Sequence, residues 1–361
     1  MRLLSVFVLL AFLYATSHSL SAQPDLDRIQ QALEKSMADH DIPAVSLAIV
    51  YHGETYFVNR GTLCRANSND VDEHSIYQIA SLGKPFIGIV VHQLLRDGTL
   101  KLEQPITDFL RPEFKKGRWG KLETITIDHL LHHTSGLPQD VRAAYKRKDG
   151  EPYLHDYKEQ DFYTDLAKAS LKKPGEYSYS NFDYALLAFI AAKASGEPYE
   201  ALLAKHVLSD IGAQSTSFKP AKSQANRLTT PYRKDDRKRE TGYWDMGLMA
   251  PPSALYSTAA DLALLLKQQL KAYGEQAESG VLSKWYLTEH TVAKGPKRPT
   301  RYGYGLAAYP GGFYGHGGDM DGYAVDYSFS PSQDFGIVIL TSSGEDWINP
   351  LVRQINRILQ E

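Results

Sequence analysis

Apolar runs of β type stand at both ends of this chain and are missing from its middle. Ala44 to Val50 and Thr55 to Val58 are β-branched or aromatic runs split by His52 and Gly53, which reads as a hairpin. Leu306 to Tyr309, Tyr323 to Ser328 and Phe335 to Thr341 alternate near the other end. Between them the apolar residues fall at helical spacing, punctuated by Gly and Pro. The candidate helices are a segment from Ser81 to near Gly98 with Pro85 in its first turn, then Ile127 to His133, Phe162 to Leu171, Tyr184 to Ser195 and Tyr199 to Leu208. A mixed-charge loop, Arg233 to Glu240, precedes another helix from about Thr258 to Tyr273. Leu26 to Asp39 and the amphipathic Ile348 to Leu359 read as terminal helices. This order predicts an α+β body: an antiparallel sheet flanked by the N- and C-terminal helices, with a mostly helical lobe inserted. The α/β lobe is expected over about 23–95 and 235–361, the helical lobe over about 96–234, and a cleft between them.

With 361 residues, 43% of them hydrophobic and 23% charged, the chain is long enough for a large core and near the globular average, which excludes disorder, collagen and coiled coil. Lys and Arg number 40 against 42 Asp and Glu, so the basic excess that nucleic-acid binding needs is absent. One cysteine, Cys64, allows neither an internal disulfide nor a cysteine-ligated zinc site. Met1 and Arg2 precede an apolar run from Leu3 to about Ala15, followed by the small or polar stretch Thr16 to Ala22. That order is expected of a secretory signal covering residues 1–22, cleaved near Ala22, leaving an exported protein, periplasmic or secreted, with no stable membrane insertion. The run is too short to span a bilayer as a helix.

Three local patterns carry chemistry. Ser81-Leu82-Gly83-Lys84 is an S-x-x-K at a helix start, where one turn brings the two side chains onto one face. A lysine whose pKa is lowered by apolar surroundings can take the serine proton, and the helix N-terminus adds positive potential where an oxyanion would form. Taken alone, the same residues also read as a serine cap with a solvated lysine. Tyr179-Ser180-Asn181 follows Pro174-Gly175-Glu176 and precedes a helix, on a turn able to project a phenolate base and an orienting amide; its bland reading is a capping turn with Asn181 as N-cap and Tyr179 in the core. His316-Gly317-Gly318 sits among aromatic, strand-like residues and suits an edge strand that binds substrate, or else is a hairpin turn with an incidental histidine. Asp319-Met320-Asp321-Gly322 superficially opens like a calcium loop, but Ser330 stands where the bidentate glutamate belongs.

Together, in this order, the chain resembles the penicillin-recognising serine hydrolases, the group with class C β-lactamases, D-alanyl-D-alanine carboxypeptidases, D-amino-acid peptidases and β-lactamase-like esterases. Further phrases support it: Ile79-Ala80-Ser81, Leu130-Leu131-His132-His133-Thr134-Ser135-Gly136-Leu137-Pro138, Pro174-Gly175, Tyr256-Ser257-Thr258-Ala259-Ala260-Asp261-Leu262 and Tyr302-Gly303-Tyr304-Gly305. The resemblance implies that Ser81 attacks a carbonyl, Lys84 and Tyr179 share the proton work, and Asn181 with His316, Gly317 and Gly318 binds substrate. It implies an oxyanion hole made by the backbone amides of Ser81 and Asp319, and no cofactor or metal. The dedicated β-lactamases carry lysine where this chain has His316, so a small peptide of D-alanyl-D-alanine or D-amino-acid type, or an ester, is the expected substrate. Two more departures are Asp319, whose carboxylate must point away from an oxyanion, and Ser253-Ala254 where two glycines are usual.

Other readings remain. A class C-like β-lactamase is one, and a penicillin-binding sensor or scaffold with little turnover is another. His129, His132 and His133 at helical spacing could serve a metallohydrolase. An α/β-hydrolase is disfavoured because no G-x-S-x-G occurs. The stretch 142–163, with Tyr145, Arg147, Tyr153, His155, Tyr157 and Tyr163, reads as a solvated loop or as a cleft wall that selects substrate size.

Overall fold

The Asp25 side chain accepts the amide of Arg28 at 3.0 Å and starts α1 (Leu26–His40). Asp41, in the left-handed conformation with φ 50°, ends it. His52 and Gly53, also left-handed, turn β1 (Ala44–Tyr51) into β2 (Glu54–Gly61). This computed structural model describes residues 23–361 except 67–68, 113–116, 142–153, 155–156, 280–290, 293–300 and 345–346. The expected leader over residues 1–22 lies outside the described residues, as do Tyr145, Arg147, Tyr153 and His155. Tyr157 and Tyr163, expected in a solvated loop or wall, are instead buried, and the Tyr157 hydroxyl donates to Asp165 at 3.0 Å.

After β3 (Tyr77–Gln78) and a tight turn at Ala80–Leu82 come α2 (Gly83–Arg96), α3 (Ile127–Leu131), α4 (Glu159–Lys168) and α5 (Asn181–Ser195). α6 (Tyr199–Leu203) runs through a π turn at Ala204–Leu208 into α7 (Ser209–Ile211), so the single helix expected over Tyr199–Leu208 is interrupted. β4 (Tyr256–Ser257) pairs with β3 in a small sheet too short to leave an alternation signal. α8 (Ala259–Ser279) leads to β5 (Thr291–Val292), β6 (Arg301–Gly303), β7 (Leu306–Tyr309), β8 (Phe313–Met320), β9 (Tyr323–Ser330), β10 (Phe335–Thr341) and α9 (Ile348–Gln360). Among the described residues, no helix is long and apolar enough to cross a membrane.

The main sheet has the order β2-β1-β10-β9-β8-β7-β6-β5, antiparallel at every step. Its two halves meet where Val45 lies opposite Thr341 and Tyr51 opposite Phe335, so both chain ends build it. β1 is buried from Ala44 to Val50 because helices cover both of its faces. Leu47, Ile49, Ile337 and Ile339 pack with Ile29 and Leu33 of α1 and Ile355 of α9, while Ala48, Val50, Val338 and Leu340 join the larger core with Leu262 and Leu266 of α8. α5 is buried on every side from Phe182 to Ala191, and all of those residues but Asp183 are apolar or aromatic. These ten residues are hidden because the surrounding elements cover every side of the helix.

β8 departs from the edge strand expected around His316: it is interior, between β7 and β9. β7, however, pairs only with Phe313, Tyr314 and Gly315. From His316 to Met320, among the described residues, β8 is paired with β9 alone, so its second half is a local edge.

Candidate active site

Ala80 has φ 47°, a left-handed conformation that costs a non-glycine residue about 1 kcal/mol or more and turns the chain sharply just before Ser81. Ser81 lies inside the turn Ala80–Leu82, not at a cap, and the N-cap position of α2 is Leu82 without a side-chain bond. One turn later Lys84 is fully buried, which overturns the solvated reading. Its Nζ lies 3.0 Å from Ser81 Oγ, 2.7 Å from Asn181 Oδ1 and 3.3 Å from the Pro252 carbonyl. Burial lowers its pKa from 10.5 to about 7, against a smaller upward pull from Asp140. A neutral amine has two hydrogens and one lone pair, and neither Asn181 Oδ1 nor the Pro252 oxygen can donate. Those two acceptors take the hydrogens, which leaves the lone pair facing Ser81.

Ser180 caps α5 by accepting the amide of Asp183 at 3.0 Å, so Ser180 and not Asn181 is the N-cap. That frees the Asn181 side chain to bridge Lys84 and Asp140, donating to Asp140 Oδ1 at 2.9 Å. The Tyr179 hydroxyl donates to Ser81 Oγ at 3.0 Å, and its ring faces Lys84 Nζ at 4.8 Å. Desolvation pushes the phenol pKa well up, so the resting group is a phenol; the expected phenolate base is corrected to a donor.

The turn carrying Ser81 packs directly on β8, since a Cβ on Gly318 would come within 2.9 Å of Ala80 Cβ and of the Ile79 carbonyl. In the β8–β9 and β7–β8 registers, alternation directs the backbone groups of Gly317 and Asp319 away from β9, past the end of β7. Ser81 and Asp319 both line the cleft. Asp319's side chain is on the opposite sheet face from His316 and Gly318, with Oδ1 beside Gly344, so the carboxylate points away from Ser81 as required. His316 is buried, its Nδ1 2.5 Å from the Gly317 carbonyl and Nε2 3.2 Å from the Tyr302 hydroxyl. Burial, then the nearby Lys84 charge, lower its pKa to about 3, so it is neutral through the physiological range.

Ser81, Tyr179, Asn181, His316, Gly317, Gly318 and Asp319 line one cleft of about 430 Å³, with Tyr177, Tyr302 and Tyr309 on its wall. Every site residue expected from the sequence except the buried Lys84 therefore borders it, and Lys84 reaches it through Ser81. Asp140, the Pro252 carbonyl and Tyr302 were not among those expectations. Asp140 directly follows the quoted Leu137-Pro138 phrase, but only tertiary contact gives it Asn181 as a partner. Ser253 and Ala254 are buried beside Pro252.

The three histidines diverge. His129 Nδ1 pairs with Thr126 in a capping box, His132 Nδ1 bonds the Asp128 carbonyl at 2.8 Å, and His133 Nδ1 accepts the Ser180 amide. Among the described residues, no group of three His, Cys, Asp or Glu side chains is placed to hold a metal ion.

An antiparallel sheet with a buried Ser-x-x-Lys turn against a glycine-rich strand is the arrangement expected of the penicillin-recognising serine hydrolases. Residues 29–350 match the Beta-lactamase family model, and the chain belongs to that family. It is 26% identical over 341 residues to Protein flp of Staphylococcus aureus strain MW2, covering 91% of this chain and 65% of that protein. The same protein from strain N315 is 26% identical over 350 residues, covering 93% of this chain and 66% of the relative. The chain thus spans just under two thirds of the length of these curated relatives. The structure of the octameric penicillin-binding protein homologue from Pyrococcus abyssi superposes with a TM-score of 0.79 at 24% identity, covering 93% of this chain and 78% of that one, which establishes the shared fold.

Proposed function

We propose that this protein is a serine hydrolase that works through an acyl-enzyme on a small peptide of D-alanyl-D-alanine or D-amino-acid type, or on an ester. The carrying observation is the convergence of Lys84 Nζ and Tyr179 OH on Ser81 Oγ, each at 3.0 Å. In this reading the neutral form of Lys84, about half of the amine at pH 7, takes the Ser81 proton as Oγ attacks the carbonyl carbon. The tetrahedral oxyanion is held by the Ser81 and Asp319 amides. Tyr179, already a donor at Oγ, passes a proton to the leaving nitrogen or oxygen and is reprotonated from Lys84. Water then attacks the acyl-enzyme with the same groups acting in reverse.

The neutral His316 supplies a hydrogen-bonding group and no fixed cation, which weighs against a class C-like β-lactamase. The test is the intact mass of the mature protein after brief incubation with benzylpenicillin and, separately, an activated acyl ester, with Ser81→Ala as control. Rapid ester turnover or an ester adduct that needs Ser81 is expected. A stable penicillin adduct at Ser81 would instead mark a slowly deacylating carboxypeptidase-like site, and no reaction with either would leave a non-catalytic binding protein.

A further inference from the structure

Packed against Tyr179, and not among the residues lining the cleft, lies His133. It is fully buried, two residues past the end of α3, and left-handed at φ 56°, a conformation that few non-glycine residues hold without compensation. The compensation is a clamp on the segment that carries Tyr179. The His133 carbonyl accepts the amide of Ser178 at 2.8 Å, and His133 Nδ1 accepts the amide of Ser180 at 3.2 Å. The residues on either side of Tyr179 are thus tied to one histidine, and the ring between them packs on the imidazole with centroids 4.7 Å apart.

The imidazole is itself immobilised. Tyr302 and Tyr184 pack on it at 4.6 and 4.9 Å, and Asp183 Oδ2 lies 3.5 Å from Nδ1. Asp183 is fixed in turn by Ser135 Oγ, which donates to Oδ1 at 2.6 Å. Because an amide can only donate, Nδ1 is the unprotonated nitrogen and the ring is neutral with its proton on Nε2. Burial acts in the same direction, holding the imidazole well below its usual pKa.

We propose that His133 is the positioning residue for Tyr179: through its carbonyl, Nδ1 and ring face it sets the phenol oxygen in contact with Ser81 Oγ. This rests on the hydrolase reading above. His133 is not among the residues that line the cleft, so its effect travels through Tyr179. A phenol displaced by an ångström loses proton-transfer geometry, while Asn181, Gly317 and Gly318 on the cleft wall keep their places.

The experiment is a double-mutant cycle read as the rate of Ser81 acylation by p-nitrophenyl acetate, from the burst and from intact mass. His133→Asn tolerates the left-handed backbone and keeps an acceptor but removes the ring; His133→Phe keeps a ring and removes the acceptor. Each is expected to slow acylation at least about tenfold, with the apparent affinity for the ester changed less than about threefold. In a Tyr179→Phe background, His133→Asn is expected to change the rate less than about twofold. Multiplicative losses in the double variant, or wild-type rates in both folded single variants, would overturn the assignment. Loss of the folded state in both, seen by thermal melting, would do so as well, by making His133 a core residue only. A wild-type protein that is not acylated at Ser81 would refute the hydrolase reading itself and remove this role with it.

Discussion

If Lys84 is the base that activates Ser81, the acylation rate must follow the neutral fraction of its amine. With a pKa of about 7, that fraction is about one half at pH 7, about a tenth at pH 6 and about a hundredth at pH 5. A lysine at its ordinary value of 10.5 would be less than about 0.1% neutral at pH 7, so the buried setting supplies roughly three orders of magnitude in competent base. The sign is fixed: the deprotonated form is active, so kcat/KM rises with pH, with unit slope below about 6.5 and a plateau above about 8. His316 adds no limb in this range, because its pKa is about 3. The assay is kcat/KM for an uncharged activated ester from pH 5 to 9, corrected for the Ser81→Ala background. Lys84→Arg should lose at least about a hundredfold and show no recovery at pH 9, since a guanidinium stays charged. A profile flat from pH 5 to 9, or a midpoint above 9, would refute the assignment of Lys84 as the base.

Four further outcomes are expected. Between pH 7 and 10 the unfolded chain keeps a proton on Lys84 that the folded protein has released, so wild-type stability should rise with pH relative to Lys84→Met, by roughly 3 to 5 kcal/mol over that window in urea titrations; parallel curves would count against the buried amine. Tyr179→Phe should lower kcat about a hundredfold with the melting temperature nearly unchanged, and a loss below about threefold would exclude the phenol from proton transfer. Gly318→Ala drives a methyl against Ala80 and Val325 and should cost about 1–3 kcal/mol together with activity, as read by chemical denaturation. Gly317→Ala meets nothing closer than the Val325 carbonyl at 3.7 Å, so its stability should stay within about 0.5 kcal/mol while KM rises; a reversed pattern would mean that the cleft does not run along this strand.

Periodicity made much of the fold legible. The β1–β2 hairpin, β7, β9, β10 and the terminal helices follow from apolar spacing, because each faces a core on a fixed period. β3 and β4 have two residues each, and the interruption after α6 is a matter of hydrogen-bond length along one helix, so neither leaves a hydropathy pattern. β8 was legible only as glycines among aromatics. Its local edge arises because β7 begins only at Leu306 and pairs with β8 only from Ala307 on, a fact about the neighbouring strand that β8's own sequence does not contain.

Residue types and their one-turn spacing put Ser81 and Lys84 together, and the order of Ser-x-x-Lys, Tyr-x-Asn and His-Gly-Gly identified the family, since both are properties of the covalent chain. The protonation states are not. Lys84 is poised near neutrality, Tyr179 is a donor and His316 is uncharged because packing removes them from water, and desolvation depends on what residues distant in sequence bring alongside. Asp140, Pro252 and His133 acquire their roles in the same way, from contacts that exist only after the helical middle of the chain has closed over the sheet.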